Sequence, residues 1–216
     1  MKQLFLLLLI VLMSISSLFS QIEKGTVMVG GNAGFQFKAN NQHVREFGFS
    51  VSPNALYSVI KQLALGGQIS YSYTNYKDSD PQQPYPRIDV SNSFFIGPAV
   101  RANIHIGGKT FFFFHASPSF GIQSIKQPNS PNKVNDSYSV IAWRLGPGVS
   151  IFATKNMAVE LGIFYDGMKT VETIKFDKTV FVKYSPVLTY GLTFAVGLQF
   201  YAHKKQKQLE PVNSDK

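Results

Sequence analysis

Seven side chains hold most of the chemistry open to this 216-residue chain: Arg101, Arg144, Glu160, Asp166, His105, His115 and Ser117. Ser117 follows His115 by two positions, which in an extended strand puts both on one face. A serine beside an imidazole is the beginning of a hydrolytic nucleophile, but it also needs a polar orienter and a face open to substrate. His105 and His115 flank the Gly107-Gly108 turn, at what read as facing positions of neighbouring strands. Two imidazoles can hold a metal ion, yet no third or fourth ligand joins them in the pattern. Interior hydrogen bonding is the simpler use for both. The chain has no cysteine, which excludes disulfides, thiol nucleophiles, thiolate metal sites and a lipid-modified cysteine anchor. The Gly30-Gly31-Asn32-Ala33-Gly34 run lacks the spacing and the lysine of a phosphate-binding loop. No cofactor, metal site or catalytic residue is expected.

The elements that carry these residues announce themselves by a period of two. In 188–200 the apolar residues are Leu188, Tyr190, Leu192, Phe194, Val196, Leu198 and Phe200, and those between are small or neutral polar. Such alternation marks a strand with two unlike faces. It recurs at 27–37, 47–59, 63–74, 94–106, 112–123, 141–151 and 157–166, making eight segments. Three connections are tight: Lys61-Gln62, Gly107-Gly108-Lys109 and Lys155-Asn156. The other four, about 38–46, 75–92, 124–137 and 167–186, read as long loops holding much of the proline and charge. Short turns on one side and long loops on the other predict an all-β, eight-stranded antiparallel up-and-down transmembrane β-barrel.

One face of every segment is greasy, and the other is Gly, Ser, Ala, Thr and Asn rather than Lys and Glu. A soluble barrel of lipocalin type, serving as a lipid carrier, would turn its apolar face inward and show water a wall poor in charge. In a membrane the same small face fills a lumen that eight strands leave only wide enough for side chains. Arg101, Arg144, Glu160 and Asp166 then lie inside. Charges in a narrow lumen are costly unless paired, so both arginines are expected to reach Glu160, with Asp166 nearer the outer mouth. His105, His115 and Ser117 share that interior, which argues against an enzyme. Phe37, Phe47, Tyr57, Tyr71, Tyr73, Phe94, Trp143, Tyr165, Tyr190 and Phe200 lie near strand ends and suit interfacial aromatic girdles. Pro53, Pro98, Pro118 and Pro147 sit inside strands of a sheet that has no edge, which the pattern alone does not explain.

The N-terminus reads as an export signal. Met1-Lys2 is followed by an apolar run from Leu4 to Met13 and a serine-rich stretch, with a cut expected at Ser20/Gln21. Removing residues 1–20 takes away Lys2 and no acid, so the formal +9 becomes +8. Residues 21–201 form the barrel, and 202–216 a polar tail. An even strand number puts the tail and the short turns on the periplasmic side. The basic residues are spread over loops and tail without a nucleic-acid motif, so anionic headgroups or glycans are the expected counterpart and nucleic acid is not.

The leader, the eight segments, the interior arginine in Gly97-Pro98-Ala99-Val100-Arg101, the Gly146-Pro147-Gly148 strand and the Phe200-terminated last strand resemble one known family. It comprises the small outer-membrane β-barrel domain proteins, the OmpX/OmpA-like "porin family" chains of Bacteroidota-type bacteria. The resemblance spans residues 21–201. It implies location in the cell outer membrane, contact with its lipids and lipopolysaccharide, and recognition of a terminal aromatic, here Phe200 or Tyr201, by the barrel-assembly machinery. A structural or surface-interaction role follows, with ligands met through the long loops and without porin activity. An outer-membrane lipid-modifying enzyme is the alternative within that setting.

Overall fold

All eight period-two segments become strands of one closed sheet. The computed structural model describes residues 22–40, 45–78, 87–126, 135–170, 174–177, 180–183 and 187–202. The barrel strands are β1 (Val27–Asn40), β2 (Arg45–Ile60), β3 (Leu63–Asp78), β4 (Arg87–Gly107), β5 (Thr110–Lys126), β6 (Asn135–Phe152) and β7 (Met157–Thr170). A small separate hairpin follows, β8 (Ile174–Asp177) with β9 (Val180–Lys183), and β10 (Leu188–Ala202) completes the barrel. β1 to β7 pair antiparallel in sequence order, β7 pairs with β10, and β10 returns to β1 through a ladder from Val27↔Ala202 to Asn40↔Thr189. The expected leader, 1–20, and the expected tail from residue 203 onward lie outside the described residues; residue 202 ends β10.

The strands outrun the periodic segments. β3 and β4 stay paired to Asp78↔Arg87 and β5 and β6 to Lys126↔Asn135, so much of the sequence expected as loop is strand. Backbone ladders need no side-chain pattern. Once both faces meet a polar medium the apolar alternation stops while the hydrogen bonds continue.

A belt around the outer wall is apolar. Phe35, Ile96, Phe120, Ile122 and Val196 are each at least 57 % exposed, and Val29, Phe94, Leu161, Phe194 and Phe200 are exposed with them. The inward-facing residues are the buried ones, many of them polar, among them Gln36, Ser50, Ser52, Gln68, Arg101, Arg144, Glu160 and Thr193. The orientation of a soluble carrier is therefore not adopted. All ten girdle aromatics stand on the outer wall. Phe37 packs on Phe47, Phe49 on Tyr71 and Tyr73, and Tyr165 lies near Tyr190. They concentrate toward the long-loop end, and of the ten only Tyr57 and Phe200 mark the short-turn end. Trp143 pairs with Gly167 and lies where a Cβ on that glycine would stand.

The prolines follow a rule that only the register reveals. Pairing lapses between Val51↔Tyr71 and Asn54↔Gln68 at Pro53, between Ile96↔Phe120 and Val100↔Ala116 where Pro98 faces Pro118, and between Leu145↔Tyr165 and Gly148↔Gly162 at Pro147. All three lapses fall on seams joined by the tight turns. The seams β1–β2, β3–β4, β5–β6, β7–β10 and β10–β1 run without a break. A proline has no N–H to give its partner's carbonyl. At the doubly affected seam the Ser117 hydroxyl donates to the Pro98 carbonyl at 3.0 Å, replacing one lost donor.

Candidate functional site

The lumen is built in layers, because each strand sends every second side chain inward. At the short-turn end Met28, Leu56, Phe111, Phe152 and Tyr201 pack with Ile22, which precedes β1, into an apolar floor. Phe152 packs between Phe111 and Tyr201, tilted to both, at centroid distances of 5.3 and 4.6 Å.

Above the floor Arg101, on β4, crosses to Glu160, on β7. Its Nη1 and Nη2 donate to Oε2 and Oε1 at 3.0 and 2.5 Å, its Nε donates to Asn103 Oδ1, and Nη2 also donates to Ser150 Oγ. The guanidinium lies 3.8 Å from the Phe113 ring centroid. Ser150 in turn donates to Glu160 Oε1 at 2.9 Å. Arg101 is 1 % exposed, so the pair is sealed from water. A forked guanidinium on a carboxylate is the strongest ion-pair geometry available to side chains.

Phe113, Phe164 and Ala195 form the next, apolar layer. His115 stands beside it, edge-on to Phe164, with its Nε2 2.7 Å from Gln68 Oε1, reached over the intervening β4.

The upper layer differs from the sequence expectation. Arg144 does not reach Glu160. It forks onto Asp166, Nε to Oδ1 at 2.7 Å and Nη2 to Oδ2 at 2.9 Å, and its Nη1 donates to Ser52 Oγ and Asn32 Oδ1. The register decides this. Arg144 is directly opposite Asp166 on the β6–β7 ladder, while Glu160 is opposite Ser150, six residues farther down β6. Two ion pairs at two depths replace the single network expected. Thr193 donates its hydroxyl to Asp166 Oδ2 as well. Beyond this layer a recess of about 40 Å³ is lined by polar Lys38, Ser50, Ser72 and Arg144 together with apolar Phe95 and Met168.

His105 is corrected too. Its partner across the β4–β5 ladder is Phe111, and His115 sits opposite Arg101. A tight turn pairs residues at equal distance from its centre, and the two histidines are not equidistant from Gly107-Gly108. His105 is half-buried at the rim, its ring tilted against Phe111 at 4.8 Å with its Nε2 3.1 Å from the Gly108 carbonyl. The two imidazoles are therefore on separate levels. No group of three or more metal-ligating side chains occurs among the described residues. Ser117 is buried, and the bond that occupies its hydroxyl goes to backbone rather than to His115.

Sequence reasoning missed Lys38 and Glu46, which it assigned to a loop. They face each other across β1 and β2, and Lys38 is buried. The signal was present, since Lys38 continues the inward series Gly34, Gln36. It named Tyr201 only as a terminal aromatic, whereas the ring is buried and helps close the floor.

The geometry is that of a small antiparallel barrel with a filled polar lumen and an apolar outer wall, the fold of small outer-membrane proteins. No family model matches the chain, and no curated protein matches it. Among solved structures it is similar to Neisserial surface protein A, at 15 % identity and a TM-score of 0.54, over 82 % of this chain and 98 % of that one. It also matches OprG of Pseudomonas aeruginosa (8 % identity, TM-score 0.45, 86 % and 100 % covered). The attachment invasion locus protein of Yersinia pestis matches at 13 % identity and a TM-score of 0.43, over 83 % and 99 %. The fold is what the first of these likenesses shows.

Proposed function

We propose that the chain is an integral outer-membrane barrel of the OmpX/OmpA-like kind, with a structural or surface-interaction role and a closed lumen. One observation carries the reading: a belt of exposed apolar side chains, most of them large, surrounds the outer wall while charged pairs are sealed within. In water that arrangement would leave a hydrophobic surface far larger than monomeric proteins tolerate. In a bilayer it is the required one, because a closed ladder satisfies the backbone and the wall meets hydrocarbon. The packed apolar floor argues against diffusion through the barrel. The occupied Ser117 hydroxyl and its distance in role from His115 argue against lipid hydrolysis. The long-loop side, with the hairpin β8–β9, is the surface offered to lipopolysaccharide and external ligands. The β10 end, with Phe200 facing outward, is offered to the assembly machinery.

Gel mobility of the membrane fraction, boiled and unboiled in detergent, tests the reading. A folded barrel migrates differently unheated. An unchanged band, together with recovery of the protein in the soluble fraction, would overturn it.

A further inference from the structure

The recess on the long-loop side of the Arg144–Asp166 pair has two unlike halves. Its 40 Å³ give room for roughly three water-sized positions. The half formed by β1, β2 and β3 carries Lys38, Ser50, Ser70 and Ser72. The facing half, from β4, β6 and β7, is Phe95, Ala142 and Met168, which belong to one apolar cluster. The polar half is rich in donors. Lys38 is buried, and an ammonium has three protons to give and nothing with which to accept. Ser72 Oγ is buried without a hydrogen-bond partner among the described residues. Ser70 Oγ accepts from Gln68 Nε2 at 2.9 Å and Ser50 Oγ from Arg144 Nη2, so each keeps its own proton to donate.

We infer that this recess binds one small aliphatic monocarboxylate of about two to four carbons, entering from the long-loop mouth. Its carboxylate takes the Lys38 ammonium and the serine protons, and its alkyl end lies against Phe95, Ala142 and Met168. The acids nearby leave that place open. Asp166 is occupied by the Arg144 fork and the Thr193 hydroxyl. Glu46 faces Lys38 on the β1–β2 ladder but is not on the recess wall, and its buried Oε2 receives no bond from a described residue. The walls therefore hold two cations, Lys38 and Arg144, against one acid, Asp166. A metal ion would meet donors where it needs lone pairs. A halide or a phosphate needs polar contact on every side, which the Phe95 half does not supply. A neutral alcohol would leave the charge of Lys38 unanswered. The site lies in the lumen, so it does not depend on what covers the outer wall.

The test titrates sodium propionate into the purified, folded full chain in detergent and follows saturation transfer to the propionate methyl by NMR, with sodium chloride in constant excess. Saturable binding is expected, and propionamide, the uncharged isostere, should bind about tenfold more weakly or not at all. Lys38→Met removes a charge-assisted bond and should weaken propionate about tenfold or more. Ser72→Ala removes one donor and should weaken it about fivefold. Ala142→Leu fills the apolar half and should abolish binding, while Ala116→Leu on the outer wall should leave it unchanged. Unheated gel mobility shows which variants fold, and Ser72→Ala, the mildest change, decides if Lys38→Met does not. No saturable transfer in the unaltered protein overturns the inference. So does equal binding of propionamide, or propionate affinity unchanged by Ser72→Ala or by Ala142→Leu.

Discussion

Removing the Glu160 carboxylate tests the layered lumen most directly. Glu160→Leu leaves the Arg101 guanidinium in place, 1 % exposed, with only Asn103 Oδ1 and Ser150 Oγ to accept its protons. Two charge-assisted bonds are lost, each worth about 1.5–3 kcal/mol. A buried charge without its partner costs about 3–5 kcal/mol in total. Arg101→Met with Glu160→Leu removes both charges and keeps much of the volume. Exchanging a buried pair for apolar groups is often neutral or better, but here Ser150 and Asn103 lose partners, so a net cost of about 1–2 kcal/mol is expected. The double variant should therefore be more stable than Glu160→Leu alone. The single tryptophan, Trp143, stands on the outer wall and reports unfolding by its emission. Urea titration in detergent micelles or vesicles, checked by unheated gel mobility, gives the three free energies. Costs that simply add, with the double variant worse than either single, would refute the sealed-pair argument.

Four further outcomes follow from the same geometry. Asp166→Ala should cost about 3–5 kcal/mol by urea titration, while Asp166→Ala with Glu160→Leu should cost nearly the sum, because the two pairs are separate rather than one network. Pro118→Val restores an N–H facing the Pro98 carbonyl, so it should stabilise by about 0.5–1.5 kcal/mol, and Ser117→Ala should hurt less in that background than alone. Gly167→Ala puts a methyl where the Trp143 ring lies; a shifted emission maximum and a loss of about 1–3 kcal/mol are expected, and an unchanged spectrum would contradict the stacking. Phe152→Ala should cost about 3–5 kcal/mol by opening the floor, and planar-bilayer recordings should show no steady conductance in the unaltered protein.

The barrel was legible in the residues for a physical reason. A strand with lipid on one side and a crowded lumen on the other must alternate, so Leu188–Phe200 and its seven counterparts declare both their length and their facing. Glycine and lysine at Gly107-Gly108-Lys109 likewise declare a turn through local backbone preference alone. The ends of the strands were less legible, because beyond the apolar belt both faces are polar and only the ladder continues. Lys38 and Glu46 were lost there.

The interior partners were beyond the sequence. Arg101, Arg144, Glu160 and Asp166 could be placed inside by parity alone. Which carboxylate each arginine meets depends on inter-strand register and on the stagger of a closed sheet, and neither is written locally. The structure put Arg144 opposite Asp166 and sent Arg101 across to Glu160, with Phe113 and Phe164 between the layers. The prolines teach the same lesson: four separate oddities along the chain became three lapses confined to the short-turn seams. Alternation by itself determined which side of the wall each residue faces. Closure of the sheet decided what it touches there, because contact across a barrel joins residues that no local pattern relates.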